Sequence, residues 1–233
     1  MLAQLPPQPD VQLIVTASDG NDESIPFAVD GRAIEASRPD VVWVQGPPGR
    51  GVQLNAGAGR AEGRWLWFVH ADSVLPTEFM AIFSRLDAGG ADSAGADAKA
   101  SPDAAGPDVV GGSFRFALDS AAWQARVWER GVAVRVALLG LPYGDQGLFV
   151  RRDVFERMGG FRPIPLMEDV EFVGRMKREG RMVHLKVKIA TSARRWEREG
   201  WWRRTGRNLS LLALYYVGMT PDELARRYEK KRS

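Results

Sequence analysis

The sequence predicts an α/β protein built on a mostly parallel sheet flanked by helices. Three observations carry that expectation. Short apolar runs occur at residues 11–15, 41–44 and 65–69, the first of them β-branched, a stretch with helical character separates the second from the third, and the links between them are short. A strand, helix, strand order with such links is the pattern of a parallel sheet covered by helices. With 233 residues, of which 45% are hydrophobic, one domain with a sizeable core is expected.

Each element has a local reason. Residues 11–15 (VQLIV) read as a buried strand that ends in the turn formers Ser18, Asp19 and Gly20. After the second strand comes a proline- and glycine-rich loop, with a short helix at 52–61. The third strand, 65–69 (WLWFV), runs straight into His70-Ala71-Asp72. Ligands of parallel sheets bind beyond the carboxyl ends of the strands, which is where Asp19 and Asp72 fall. Residues 88–107 consist almost wholly of Ala, Gly, Asp, Ser and Pro and bury too little to offset their ordering, so a flexible surface insertion is expected. A strand at 109–116 follows, then a helix at 121–139 with Trp123, Val127, Val134 and Leu138 on one broad face. Short helices are expected at 153–158 and 169–179, each stopped by glycine, then a strand at 183–190 and an apolar helix at 209–217. The lone His184 of that strand reads as structural.

Composition narrows the chemistry. The absence of cysteine excludes disulfides and thiolate metal sites and fits a cytoplasmic location, so any metal would be held by oxygen or imidazole. No apolar run is long enough to span a bilayer and the N-terminus lacks the features of a signal peptide, so neither export nor a membrane span is expected. The net charge is only +3, yet residues 194–207 carry six arginines and two glutamates interleaved with three tryptophans. That stretch reads as an amphipathic helix with solvated arginines, or as a contact for an anionic surface.

Two carboxylate sites stand out: Asp72 after the third strand, and Glu168-Asp169 within a glycine-bounded block that opens with Gly144-Asp145-Gln146-Gly147. This block, read with Val69-His70-Ala71-Asp72, resembles the second half of a family 2 glycosyltransferase of the GT-A fold. The resemblance extends over about residues 11–227, to a subgroup of small, soluble, bacterial members. It implies a single GT-A-like, Rossmann-like domain over 1–233: a nucleotide and metal half (11–87), the flexible insertion (88–107), an acceptor and catalytic half (108–190) and C-terminal helices (191–233). The implied reaction moves a sugar from a nucleoside diphosphate-sugar donor to a hydroxyl acceptor, lipid-linked acceptors included, with inversion and with Mg²⁺ or Mn²⁺.

Under this resemblance Asp72 and His70 are the metal ligands, His70 replacing the first carboxylate of the usual pair. Arg50, Asn55, Asp19, Asp145 and Gln146 line the donor, Asp169 is the base with Glu168 as second candidate, and Arg195 and Trp196 lie on the acceptor and diphosphate side. Local chemistry alone leaves other roles open. Asp72 can cap a helix, Glu168 and Asp169 can favour a helix dipole, Arg50 can sit in solvent, and Asp145 with Gln146 can form a plain turn. Contact with the inner membrane surface is a further implied partnership, and no nucleic-acid partner is expected.

Two departures from the family bear on function. Relatives begin with a strand that this chain lacks before Gln12, and the base-binding Asp of the next strand is replaced by Thr16 or displaced to Asp19. A missing central strand leaves unpaired backbone groups, so another segment, a second subunit in a homo-oligomer, or residues upstream of Met1 would fill the position. A second reading follows, in which the chain is a family member without a donor-base pocket that serves as a binding module.

Overall fold

The computed structural model describes residues 7–18, 38–88 and 109–230. Asp19 and the expected insertion, apart from Ala88, lie outside the described residues.

The first two strands, β1 (Leu13–Ser18) and β2 (Val41–Gly46), pair in parallel from Leu13↔Val41 to Ser18↔Gly46. Helix α1 (Arg50–Ala58) packs on both. A Cβ at Gly57 of α1 would come within 2.6 Å of Thr16 Cγ2, so Thr16 spends its side chain on helix packing. The second sheet contains β3 (Trp65–Trp67), β4 (Val109–Asp119), β5 (Phe149–Arg151) and β6 (Arg181–Ser192), in the order β3-β5-β4-β6. It is mixed: β5 runs antiparallel to β3 and β4, while β4 and β6 are parallel. The expectation of mostly parallel pairing therefore holds for β1–β2 and β4–β6, and the short β5 is the exception. No pairing joins β1 to β3 among the described residues.

Helices cover the second sheet. Helix α2 (Phe79–Asp87) supplies Ile82 and Leu86 to a core with Phe114, Phe149, Leu185 and Ile189. On another side α4 (Arg152–Arg157) and α5 (Glu168–Glu179) bury Val154, Phe172, Val173 and Met176 with Leu66, Val150 and Phe161. Helix α3 (Trp123–Leu139) turns Ala125, Val132 and Val136 onto Phe116 and Leu118. The stripe that the periodicity singled out, Trp123, Val127, Val134 and Leu138, is exposed. Side chains can meet across β4 because Gly111 and Gly112 have none: a Cβ on Gly112 would collide with Val183 O of β6, and one on Gly111 would crowd Phe149 O and Met176 Sδ.

The C-terminal segment is helical, as expected: α6 (Arg194–Glu199), α7 (Trp201–Tyr216) and α8 (Pro221–Lys230). Here the arginine- and tryptophan-rich stretch is largely structural. Trp196 is buried, Arg204 sits over its ring at 4.7 Å, and Glu199 accepts from Arg204 Nη1 (2.9 Å) and Arg207 Nη2 (2.6 Å). His184 is held on β6 with Nδ1 3.0 Å from Ser113 Oγ.

Asn55 illustrates how α1 is fixed to the rest. Its Nδ2 donates to Phe161 O and its Oδ1 accepts from Phe161 N–H, both at 2.8 Å. Asn55→Ala would strand both backbone groups, so a stability loss of about 1–3 kcal/mol is expected, seen as a thermal midpoint roughly 2–10 °C lower. An unchanged midpoint by calorimetry would remove Asn55 as a tether.

Candidate functional site

A cavity of about 950 Å³ opens where the carboxyl ends of β3 and β6 face the starts of α1 and α5. Strand β3 leads into His70 and Asp72, and the bridge Val74↔Ala190 pins this loop to β6. Asp72 thereby faces Thr191, whose Oγ1 approaches Asp72 Oδ1 to 3.5 Å. The 3-10 turn Gly144–Gln146 after α3 contributes Tyr143 and Asp145, and α5 contributes Asp169 from its first turn. Arg194, Arg195 and Trp196 of α6, Arg204 of α7 and Tyr228 of α8 complete the wall.

Arg50 ties the carboxylates together. Its Nη1 donates to Glu168 Oε1 at 2.9 Å and lies 3.7 Å from Asp169 Oδ2, while Nη2 is 2.7 Å from His70 Nε2. The guanidinium fits there because Gly144 lacks a Cβ, which would collide with it. Asp169 is held on both oxygens, Oδ2 accepting from Gly144 N–H and Oδ1 from Val170 N–H, each at 2.8 Å. Glu168 is the more buried of the two acids; burial first and then the neighbouring Asp169 raise its pKa, against the charge of Arg50. Met167, just before the pair, has φ 66°, and it is the one non-glycine residue with positive φ among those described. Left-handed backbone at such a residue costs about 1–3 kcal/mol and accumulates at functional sites.

The electrostatics of the wall are uneven. His70 is pushed down to about 3 by burial, then by the charges of Arg50 and Arg195, so its ring is neutral at any physiological pH. Nε2 then accepts from Arg50, which places the proton on Nδ1. Asp145 is pushed up to about 6, first by burial and then by Asp169, against the opposing charges of Arg135 and Arg50. A carboxyl whose folded pKa lies above its ordinary 3.8 stabilises the fold when protonated, and that contribution is lost as pH rises through about 6. Asp145→Asn carries no such slope. It is expected to be about 1–3 kcal/mol more stable than wild type near pH 8, with the gap closing by about pH 4 in urea unfolding; a pH-independent gap would contradict the burial of this carboxylate.

Of the residues expected at the site, Arg50, His70, Asp72, Asp145, Asp169, Arg195 and Trp196 meet in one cavity. Two expected donor ligands do not. Gln146 is buried with its amide directed inward, Nε2 to Phe114 O (3.3 Å) and Oε1 accepting from Tyr143 N–H (3.1 Å) and Arg135 Nη2 (3.2 Å). Asn55 is the tether described above. Glu168 is turned onto Arg50, behind the cavity wall. Tyr143, Thr191, Ser192, Arg204 and Tyr228 were not foreseen, although Thr191 and Ser192 could have been found as the polar end of a predicted strand.

The site fits a divalent cation only in a restricted way. Among the described residues no group of three or more His, Asp or Glu side chains converges as a preformed centre. His70, expected as a ligand, has its accepting nitrogen committed to Arg50. Asp72 is exposed and bonded only weakly, so a cation here would share one carboxylate with the phosphates of its ligand, the usual habit of Mg²⁺. An anion is better provided for. Arg194, Arg195 and Arg198 stand exposed on the cavity wall.

Comparison with known proteins adds three findings. The family described as glycosyltransferase like family 2 matches residues 1–209 of the chain. No curated protein matches by sequence. Among solved structures, the mannosyltransferase PcManGT of Pyrobaculum calidifontis, in complex with GDP-Man and Mn²⁺, superposes with a TM-score of 0.54 at 17% identity, over 94% of this chain. The chain spans 59% of that protein's length, and at this identity the likeness is one of GT-A fold.

Proposed function

The chain belongs to glycosyltransferase-like family 2, and from that premise we propose that it moves a sugar from a nucleoside diphosphate-sugar to a hydroxyl acceptor, with inversion at the anomeric carbon. The observation that carries this reading is a cavity lined together by Asp169, held on both oxygens, by Asp72 and by an arginine-rich wall. Its size, about 950 Å³, suits a nucleotide sugar.

In the step proposed, Asp169 takes the proton of the acceptor hydroxyl as the acceptor oxygen bonds to the anomeric carbon. The bond from that carbon to the diphosphate breaks, and its electron pair leaves with the nucleoside diphosphate. Backbone donors from Gly144 and Val170 hold the Asp169 carboxylate in one orientation, and Arg50 sets the acid pair by engaging Glu168. Arg195, with Arg194 and Arg198 on the same wall, meets the growing negative charge of the diphosphate. Asp72 would hold Mg²⁺ or Mn²⁺, and the ion would supply Lewis-acid neutralisation of the leaving group.

The test is calorimetric titration with GDP and UDP, each with and without Mn²⁺; GDP is included because the structural neighbour carries GDP-Man. Binding of either diphosphate, strengthened by Mn²⁺, is the expected result. No binding under any condition would favour the binding-module reading, for which the helix-packed Thr16 speaks if the base-binding position falls there and not at Asp19.

A further inference from the structure

Nine of the ten large hydrophobic residues exposed among the described residues lie on α3 and α7, or on Val217 at the end of α7. On α3, Trp123, Val127, Val134 and Leu138 are spaced four, seven and four residues apart, which puts them on one face. On α7, Trp202, Leu209 and Tyr216 recur every seventh residue, and the small, exposed Gly206 and Ala213 continue the stripe without a charge. Exposure is high: 63% for Trp123 and Trp202, 76% for Leu138, 85% for Val217. The rings of Trp123 and Trp202 lie 6.3 Å apart and join the two stripes. Core packing does not explain this surface, because both helices already bury another face, through Ala125, Val132 and Val136 of α3 and Leu211 and Leu212 of α7. Scattered apolar residues need no explanation, whereas a joined, two-helix patch does.

Charge selects the occupant. Arg130 lies within the α3 stripe and Arg203 follows Trp202; both are exposed. The only acid in the two helices, Glu129, is buried and paired with Arg126. A second copy of the chain would bring the same cations and no exposed acid from these helices. An anionic bilayer offers hydrocarbon to the stripe, headgroup phosphate to the arginines, and an interface where tryptophan and tyrosine rings are at home.

We propose that the α3–α7 face docks the protein on an anionic membrane surface. The same helices border the cavity: Arg135 of α3 sits 3.5 Å over the Tyr143 ring and Arg204 of α7 lines the wall. Docking in this way sets the transfer site beside the lipid headgroups, and an acceptor carried on a lipid follows if the transferase reading holds. The docking itself is independent of that reading.

The experiment is flotation of the full chain with vesicles of phosphatidylcholine alone and of phosphatidylcholine with phosphatidylglycerol. Wild type is expected to float with the anionic vesicles. Trp202→Glu/Leu209→Glu should reduce the bound fraction about tenfold or more, and Arg130→Ala/Arg203→Ala roughly fivefold per arginine on anionic vesicles only. Circular dichroism and thermal midpoints would show that these surface variants fold. Wild type left unbound by anionic vesicles at low salt, or variants that bind as well as wild type, would overturn the proposal. A wild-type dimer split by Trp202→Glu/Leu209→Glu, with no flotation, would overturn it in favour of a second copy. GDP and UDP titrations of the same variants separate this outcome from failure of the donor site, since neither pair belongs to the cavity.

Discussion

Asp169→Asn is expected to lower the rate of sugar transfer by about 10²–10⁴-fold, the usual worth of a positioned general base, while donor affinity changes little. The geometry makes the two acids unequal. Asp169 reaches the cavity from the first turn of α5, whereas Glu168 is turned onto Arg50 behind it. Glu168→Gln keeps a group that can accept from Arg50 and should cost far less. The amide of Asp169→Asn can replace only one of the two carboxylate oxygens as acceptor, so either Gly144 N–H or Val170 N–H loses its partner. That loss belongs in stability, about 1 kcal/mol or a little more, and is measured by unfolding. Single-turnover rates at saturating donor isolate the chemical step. If Glu168→Gln stopped transfer and Asp169→Asn did not, the roles assigned to the pair would be exchanged.

That Asp72 and Asp169 could be placed without coordinates follows from where they sit. Residues at the ends of strands and the starts of helices keep their place whatever the details of packing, so Asp72 and Asp169 were legible from the runs that precede and follow them. Gln146 and Asn55 were not. Both stand in glycine-bounded, polar surroundings that suggest a ligand, but each also bonds a backbone group far off in sequence, 32 residues away for Gln146 and 106 for Asn55, and no local pattern encodes those meetings. The fold divides in the same way. Short apolar runs marked β1, β2 and β3, while the antiparallel insertion of the three-residue β5 between β3 and β4 depends on contacts distant in sequence. The periodicity of α3 marked a face without giving its direction: the smaller Ala125, Val132 and Val136 went inward and the larger stripe outward. Nothing in the sequence marks Met167 as left-handed, because a residue without glycine's freedom takes that backbone only when the surrounding structure imposes it.

The second large effect concerns Asp72, and its sign should depend on the metal. Without a cation, Asp72 would place a negative charge beside a nucleoside diphosphate bound against the wall of Arg194, Arg195 and Arg198. Removing the carboxylate relieves repulsion, so Asp72→Ala is expected to bind GDP or UDP as well as wild type, or better, in the presence of a chelator. With Mn²⁺ the order reverses. The wild-type carboxylate would share the ion with the phosphates, and its loss should cost about 1.5–3 kcal/mol, the scale of a charge-assisted contact, or roughly 10–100-fold in Kd. A crossover of this kind cannot come from misfolding, which would weaken binding under both conditions. Calorimetric titration of wild type and variant, each with chelator and with Mn²⁺, reads all four affinities. Equal Mn²⁺ enhancement in the two proteins would remove Asp72 from the metal. The arginine wall would then be the means by which the diphosphate is neutralised, and Arg195→Ala would become the variant that abolishes binding.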